Sequence, residues 1–146
     1  MSESLTGKIF RASAAVAATT AFLTVGIGPA AAEPGPDGHM YGAYAVSALQ
    51  GGRYRIGAGW NYPDQGSADD RARTECADDT CAVALRFMDG CGAIAFRGNQ
   101  FAGAPGATPD EASRNAINAV GPPWPSSLSA DATDPAQVVG PDCNGR

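Results

Sequence analysis

The chain has 146 residues, with 15 acidic and 10 basic side chains and a formal net charge of −5 at pH 7. This length supports one domain with a modest core and excludes two. The acidic balance argues against nucleic acids and anionic membranes as partners, because both repel negative charge.

The first 32 residues are typical of an export signal. Two basic residues precede an uncharged run, and Ala30 and Ala32 form the small-x-small pattern of a cleavage site. An uncleaved membrane anchor is the alternative, but Ala, Thr and Gly dominate the run and Pro29 interrupts it. We expect residues 1–32 to be removed and the protein to be secreted, without stable membrane insertion.

Residues 33–40 contain two prolines and two glycines and predict a flexible lead-in. This segment holds His39, the chain's only histidine, which we expect to be solvated rather than catalytic. A single domain is predicted over residues 41–146. Its first segments, YGAYAVS and RYRIGAGW, are typical of two strands joined by a glycine turn.

A first helix is predicted over SADDRARTECA. Ser67 is its expected N-cap, and Asp69 and Asp70 would then lie in the first turn, where the helix dipole favours acidic residues. Ala68 and Ala72 lie on the same face as Cys76, and their small side chains would let the helix approach a sheet closely.

Residues 81–96, CAVALRFMDGCGAIAF, predict a β-hairpin. Two apolar strands, 81–88 and 91–97, flank Asp89 and Gly90, which tolerate the positive φ angles of a type I′ turn. We therefore expect these two strands to pair with each other.

A second helix is predicted to begin at TPDEASRNAINAV. Thr108 is the expected N-cap, Pro109 suits the first helical position, and Glu111 completes a T-x-x-E capping box. Gly121 would end the helix, and a Pro-rich loop would lead to a last strand near Cys143.

The segments YGAYAV and CGAIAF share the pattern x-Gly-Ala-x-Ala-x, and each begins the order strand, strand, helix, strand. Chance is the alternative, because the chain is rich in alanine and glycine. We predict an α+β fold of two β-β-α-β units forming a mainly antiparallel sheet with two helices packed on it, stabilised by disulfides.

Four cysteines in an exported chain predict two disulfides. The short turn after the first helix favours pairing Cys76 with Cys81, which leaves Cys91 with Cys143. Pairing Cys76 with Cys91 and Cys81 with Cys143 stays open, because chain entropy gives it comparable stability. The spacings lack C-x-x-C, so we expect neither a metal site nor a redox pair, and no cofactor.

The sequence assigns no catalytic residue. Phosphate-binding glycine loops, EF-hands and H-E-x-x-H helices are absent from it. An acid/base pair of carboxylates is an open alternative, although adjacent aspartates at helix starts and turns are usually local caps. The aspartates that could supply such a pair are Asp69, Asp70, Asp78, Asp79, Asp131 and Asp134.

The candidate binding residues are Arg53, Arg55 and Trp124. Arg53 and Arg55, with Arg86 on another strand, could form a basic strip for carboxylate or phosphate groups, or could simply be solvated. Trp124 lies among three prolines and could stack on a sugar or peptide, or anchor its loop to the core.

The segments YGAYAVS, GWNYPDQGSADDRARTEC, CAVALRF and CGAIAF together resemble the small exported bacterial proteins of the domain of unknown function 4189 family. The resemblance implies a secreted, two-unit, disulfide-bearing fold and supplies no catalytic residues. The chain departs from the family at residues 121–135, where a Pro-rich loop replaces a short glycine-rich link.

We therefore expect a secreted, non-catalytic monomer that binds an unknown macromolecule in the cell envelope or extracellular space. One alternative is a secreted carboxylate-dependent hydrolase. Another is an effector or inhibitor that acts on a host or competitor protein.

Overall fold

The computed structural model describes residues 33–122 and 135–145. The predicted signal peptide, Trp124, Asp131 and Asp134 lie outside these residues. The fold is α+β, as predicted. In chain order the elements are β1 (Tyr41–Leu49), β2 (Arg53–Tyr62), α1 (Gln65–Cys76), β3 (Ala82–Met88), β4 (Cys91–Arg97), β5 (Gln100–Gly106), α2 (Pro109–Val120) and β6 (Gln137–Cys143).

The strands form two three-stranded antiparallel sheets rather than one. The first sheet has the order β2-β1-β3, and the second sheet has the order β5-β4-β6. Each sheet therefore uses consecutive strands of the chain, with the earliest strand in the centre.

The predicted hairpin of β3 and β4 is wrong. β3 pairs with β1, whereas β4 pairs with β5 and β6, so Asp89 and Gly90 connect the two sheets. Asp89 has a φ of 50°, but Gly90 does not have the positive φ that a type I′ turn requires. The backbone N–H of Asp89 instead donates to the Met40 carbonyl at 2.8 Å, next to the pair of Tyr41 and Met88, so it extends the ladder of β3 with β1.

The packing gives four layers: α1, the first sheet, the second sheet and α2. The alanines of the two x-Gly-Ala-x-Ala-x segments face the helices, because Ala43 and Ala45 pack with α1 while Ala93 and Ala95 pack with α2. The larger residues face the opposite sheet. This inter-sheet core contains Tyr44, Val46, Leu85, Phe87, Ile94 and Phe96.

The glycines of the same two segments make room for one aromatic ring. A Cβ at Gly42 would lie 2.2 Å from Cζ of Phe87, and a Cβ at Gly92 would lie 2.5 Å from its Cδ1. Phe87 is 4% exposed. The Phe87 ring therefore lies between the two central strands, in the space that side chains at positions 42 and 92 would occupy.

The helix α1 begins earlier than predicted, at Gln65. Its N-cap is Asp64, whose carboxylate accepts a hydrogen bond from Ser67 N at 2.8 Å. Aspartate and serine are equally good caps, so the sequence alone does not decide between these two neighbours. Asp69 and Asp70 consequently lie beyond the first turn.

The helix α2 begins as predicted. Thr108 is its N-cap and accepts a hydrogen bond from Glu111 N at 3.2 Å, with Pro109 at the first helical position. The Glu111 carboxylate reaches back to Ala107 N at 3.1 Å, one residue before the partner expected in a capping box.

Two disulfides close the fold. Cys76 at the end of α1 is bonded to Cys81, and Cys91 of β4 is bonded to Cys143 of β6, which is the preferred pairing. Cys91 and Cys143 are also directly opposite in the β4–β6 ladder. Among the described residues, α1 and α2 have 12 residues each, too few to span a bilayer.

Candidate functional site

The structure separates the three arginines that the sequence groups as a basic strip. Arg55 donates to the carbonyl of Ala77 at 3.0 Å, so it stabilises the C-terminus of α1. Arg86 lies on β3, at the opposite edge of the sheet from β2, and is bonded to Asp69 of α1. Arg53 is exposed and makes no hydrogen bond or ion pair with the described residues, which leaves its guanidinium available to a ligand.

Arg86 holds α1 against β3. Its Nη2 and Nε donate to Oδ2 of Asp69 at 2.7 and 2.9 Å, and the bond to this carboxylate raises the pKa of Arg86. Asp69 is 7% exposed and also accepts from Gln65 Nε2 at 3.0 Å. Both oxygens of this carboxylate are therefore engaged in a structural contact.

Of the other described aspartates in the predicted acid/base set, Asp78 and Asp70 make local contacts, and Asp79 is exposed. Asp78 accepts from Thr80 N at 2.9 Å and from Ser47 Oγ at 3.1 Å, and the side-chain bond from Thr80 lowers the pKa of Asp78. Asp70 lies 3.2 Å from Arg73 on the exposed face of α1. The structure therefore does not bring these carboxylates together in a cleft.

Sequence reasoning missed a polar cluster at the start of β1. Nδ1 of His39 lies 2.7 Å from Oδ2 of Asp89, and Asp37 accepts from His39 N at 3.0 Å and from the hydroxyl of Tyr41. Residues 33–40, the predicted flexible lead-in, are thus hydrogen-bonded to the connection between the sheets. His39 and Asp89 are 50 residues apart, and no local sequence signal relates them.

The charges in this cluster stabilise one another. The hydrogen bond to Asp89 raises the pKa of His39, and the backbone N–H of Met40, followed by His39, lowers the pKa of Asp89. A general acid would need a carboxyl whose pKa is raised. Every described aspartate with a shifted pKa is instead shifted downwards: Asp37, Asp64, Asp78 and Asp89.

Two adjoining concavities run along β2, and we call them together the β2 groove. One, of about 530 Å³, opens between β2 and β6, and the other, of about 300 Å³, opens between β2 and α1. Ile56 lines both. The residues used below are Arg53, Tyr54, Gln137 and Val139 in the first, and Trp60, Arg71 and Glu75 in the second.

The floor of the β2 groove is an unpaired strand edge. β2 lies at the border of the first sheet and pairs only with β1 among the described strands. Apart from this ladder, the described residues make no hydrogen bond with the backbone of residues 56–60. Because alternate residues of an antiparallel strand point their N–H and C=O groups outward, the groove presents free backbone donors and acceptors.

Comparison with known proteins now identifies the family. Residues 41–124 match the family described as a domain of unknown function, DUF4189. The chain belongs to the DUF4189 family. The family match spans β1 to α2, so the DUF4189 region contains β2 and α1 but not the β6 wall of the groove.

The curated relatives that match the chain are described as uncharacterized proteins. Uncharacterized proteins of Mycobacterium bovis and of two strains of Mycobacterium tuberculosis are each 34% identical over 76 residues, which is 52% of this chain and 48% of theirs. The chain thus spans about half the length of the curated relatives that it matches. No solved structure matches it.

Proposed function

We propose that this DUF4189 protein is an exported, non-catalytic domain that binds another macromolecule in the cell envelope or outside the cell. The observation that carries the proposal is the β2 groove, an open concave surface beside a strand edge whose outward backbone groups have no partner among the described residues. An exposed sheet edge is a recurring docking site for extended segments of other proteins.

Export is supported by the two disulfides, which persist in oxidising compartments and are rare in the cytosol. The charged cluster and apolar run of residues 1–32 provide a second, sequence-based argument for it.

A binding role is favoured over catalysis by the direction of the pKa shifts. Lowered carboxyl pKa values and a raised histidine pKa are expected for ion pairs that stabilise structure. A carboxylate-dependent hydrolase would need two carboxylates facing each other across a cleft. The described aspartates of the predicted acid/base set do not form such a pair, since Asp69 binds Arg86 and Asp78 binds its own turn.

The test is affinity capture from envelope and culture fractions with the disulfide-bonded protein, followed by intact mass measurement of any partner before and after incubation. We expect a saturable complex with a partner whose mass does not change. Failure to recover a partner at several salt concentrations would refute the binding role. A mass change that Asp→Asn variants abolish would establish a hydrolase instead.

A further inference from the structure

We propose that the partner presents an extended acidic peptide segment, which adds to β2 as a fourth strand of the first sheet and places a carboxylate against Arg53. This inference rests on the proposed binding function and names the chemistry of the bound segment. Strand addition of this type obtains affinity from main-chain hydrogen bonds and specificity from alternate side chains.

β2 is the edge strand best suited to strand addition. The two sheets have four edge strands in the described structure, namely β2, β3, β5 and β6. Pro105 in β5 and Pro141 in β6 remove a backbone donor each, and β3 has only 7 residues. β2 has 10 residues and no proline, and because Asn61 N donates to Asn144 Oδ1, the edge that it offers runs over residues 53–60, roughly 26 Å.

Charge selects an acidic segment. Arg53 begins β2 and has no described carboxylate partner, whereas Arg55 donates to the Ala77 carbonyl and its charge also acts on the Asp78 carboxylate. Farther along the groove, Arg71 is already paired with Glu75. The free positive charge is therefore at the Arg53 end, where a guanidinium can bind a carboxylate with two parallel hydrogen bonds.

The sides of the β2 groove favour apolar side chains at alternate positions of the added strand. One face of that strand would continue the inter-sheet core, beside Tyr54, Ile56 and Val139. Val139 is 39% exposed and Trp60 is 40% exposed, so apolar surface remains available at both ends. The segment that fits is acidic at one end and alternates β-branched or aromatic residues with polar ones.

The probes are acetylated, amidated eight-residue peptides with Glu at each end and Thr alternating with Val, Ile, Phe or Tyr between them. Placing Glu at both ends lets either strand direction present a carboxylate to Arg53. Binding is followed by Trp60 fluorescence in the full-length Trp124→Phe protein, because Trp60 is then its only tryptophan. Two matched peptides remove one feature each: alternate N-methylation removes backbone donors, and Glu→Lys reverses the charge.

We expect saturable binding of at least one probe, weakened by about tenfold or more on N-methylation, since each lost main-chain bond contributes about 1 kcal/mol. Arg53→Glu should weaken the Glu probe by about tenfold and restore binding of the Lys probe. The matched control is Arg114→Glu, which makes the same charge change on the exposed face of α2 and should leave binding unchanged.

Three outcomes would overturn the inference: no probe binds, the N-methylated probe binds as well as its parent, or Arg53→Glu has no effect. Light scattering that shows a dimer dissociated by Arg53→Glu would assign the edge to a second copy of the chain instead. A natural partner that is captured equally by Arg53→Glu and not displaced by the probe would leave the binding function intact and refute only this site.

Discussion

The two halves of the domain, residues 41–88 and 91–143, have the same order of elements but are closed by different bonds. In the first half, a disulfide with a separation of 5 residues and the Asp69–Arg86 ion pair join α1 to β3. In the second half, a disulfide with a separation of 52 joins β4 to β6, and its described residues form no ion pair. The two halves therefore share the order of strands and helix. They differ in the disulfides and ion pairs that join the last strand of each half to the rest of it.

The largest effect should come from removing the long-range disulfide. Chain entropy gives a loss of about 4 kcal/mol for Cys91→Ser with Cys143→Ser, against about 2 kcal/mol for the matched pair Cys76→Ser with Cys81→Ser. Urea unfolding of the two double variants measures both losses. Equal losses, or the reverse order, would show that native packing rather than loop length determines how the halves are closed.

The next effect concerns Phe87, which both halves share. Gly42→Ala and Gly92→Ala should each destabilise the domain by about 1–3 kcal/mol, because the added methyl overlaps a buried ring. Combining either change with Phe87→Leu should recover part of the loss, and unfolding midpoints form the double-mutant cycle. If the two glycine variants lose very different amounts of stability, packing of the Phe87 ring depends mainly on one half.

A smaller effect should distinguish the buried carboxylate of the first half from an exposed neighbour. Asp69→Asn weakens the charged contact with Arg86 and should lower the urea midpoint, by less than removal of the shorter disulfide does. Asp70→Asn makes the same chemical change beside it at a largely exposed site and should leave the midpoint unchanged. Equal midpoints for both variants would show that the ion pair does not contribute to closing the first half.

The smallest effect on stability is expected for the contact between His39 and Asp89, which joins residues 33–40 to the connection between the halves. The pKa of His39 should lie above its ordinary 6.5, and Asp89→Asn should lower it, whereas the exposed Asp79→Asn should not. Because His39 is shifted up and Asp89 down, the contact stabilises the fold between the two shifted pKa values. It is lost as pH rises through that of His39 or falls through that of Asp89. An NMR titration of the single histidine measures this, and an unshifted value would contradict the contact.

Local signals in the sequence predicted the elements better than their partners. The cap at Thr108, the strands at Tyr41 and Cys91 and the Cys76–Cys81 disulfide follow from residues close to each element. Asp89 and Gly90 predicted a hairpin because both residues favour the φ angles of a tight turn. Such local preferences do not determine which strands pair with each other. β3 pairs with β1, which has 9 residues, rather than with β4, which has 7 and follows directly after Asp89 and Gly90.

The candidate site was predicted only in part, since it is assembled from distant segments. Arg53 was identified from its residue type, but the β6 wall of the groove follows it by more than eighty residues, and only the pairing of β6 with β4 places Val139 there. Likewise, Asp69 was expected to act on its own helix, and its partner Arg86 lies on a strand that follows that helix. Periodicity indicates which face of an element is buried, but it does not identify the opposing residue.

Because each ladder is completed within one contiguous half, the chain does not need its C-terminus to begin folding. A chain that emerges with its N-terminus first can form the β2-β1-β3 ladder and the Cys76–Cys81 bond as soon as Cys81–Met88 is free. The face of that sheet bearing Tyr44 and Phe87 then stays uncovered until β4 arrives. The interval between the two halves is therefore when the nascent protein is most exposed to aggregation and to chaperones.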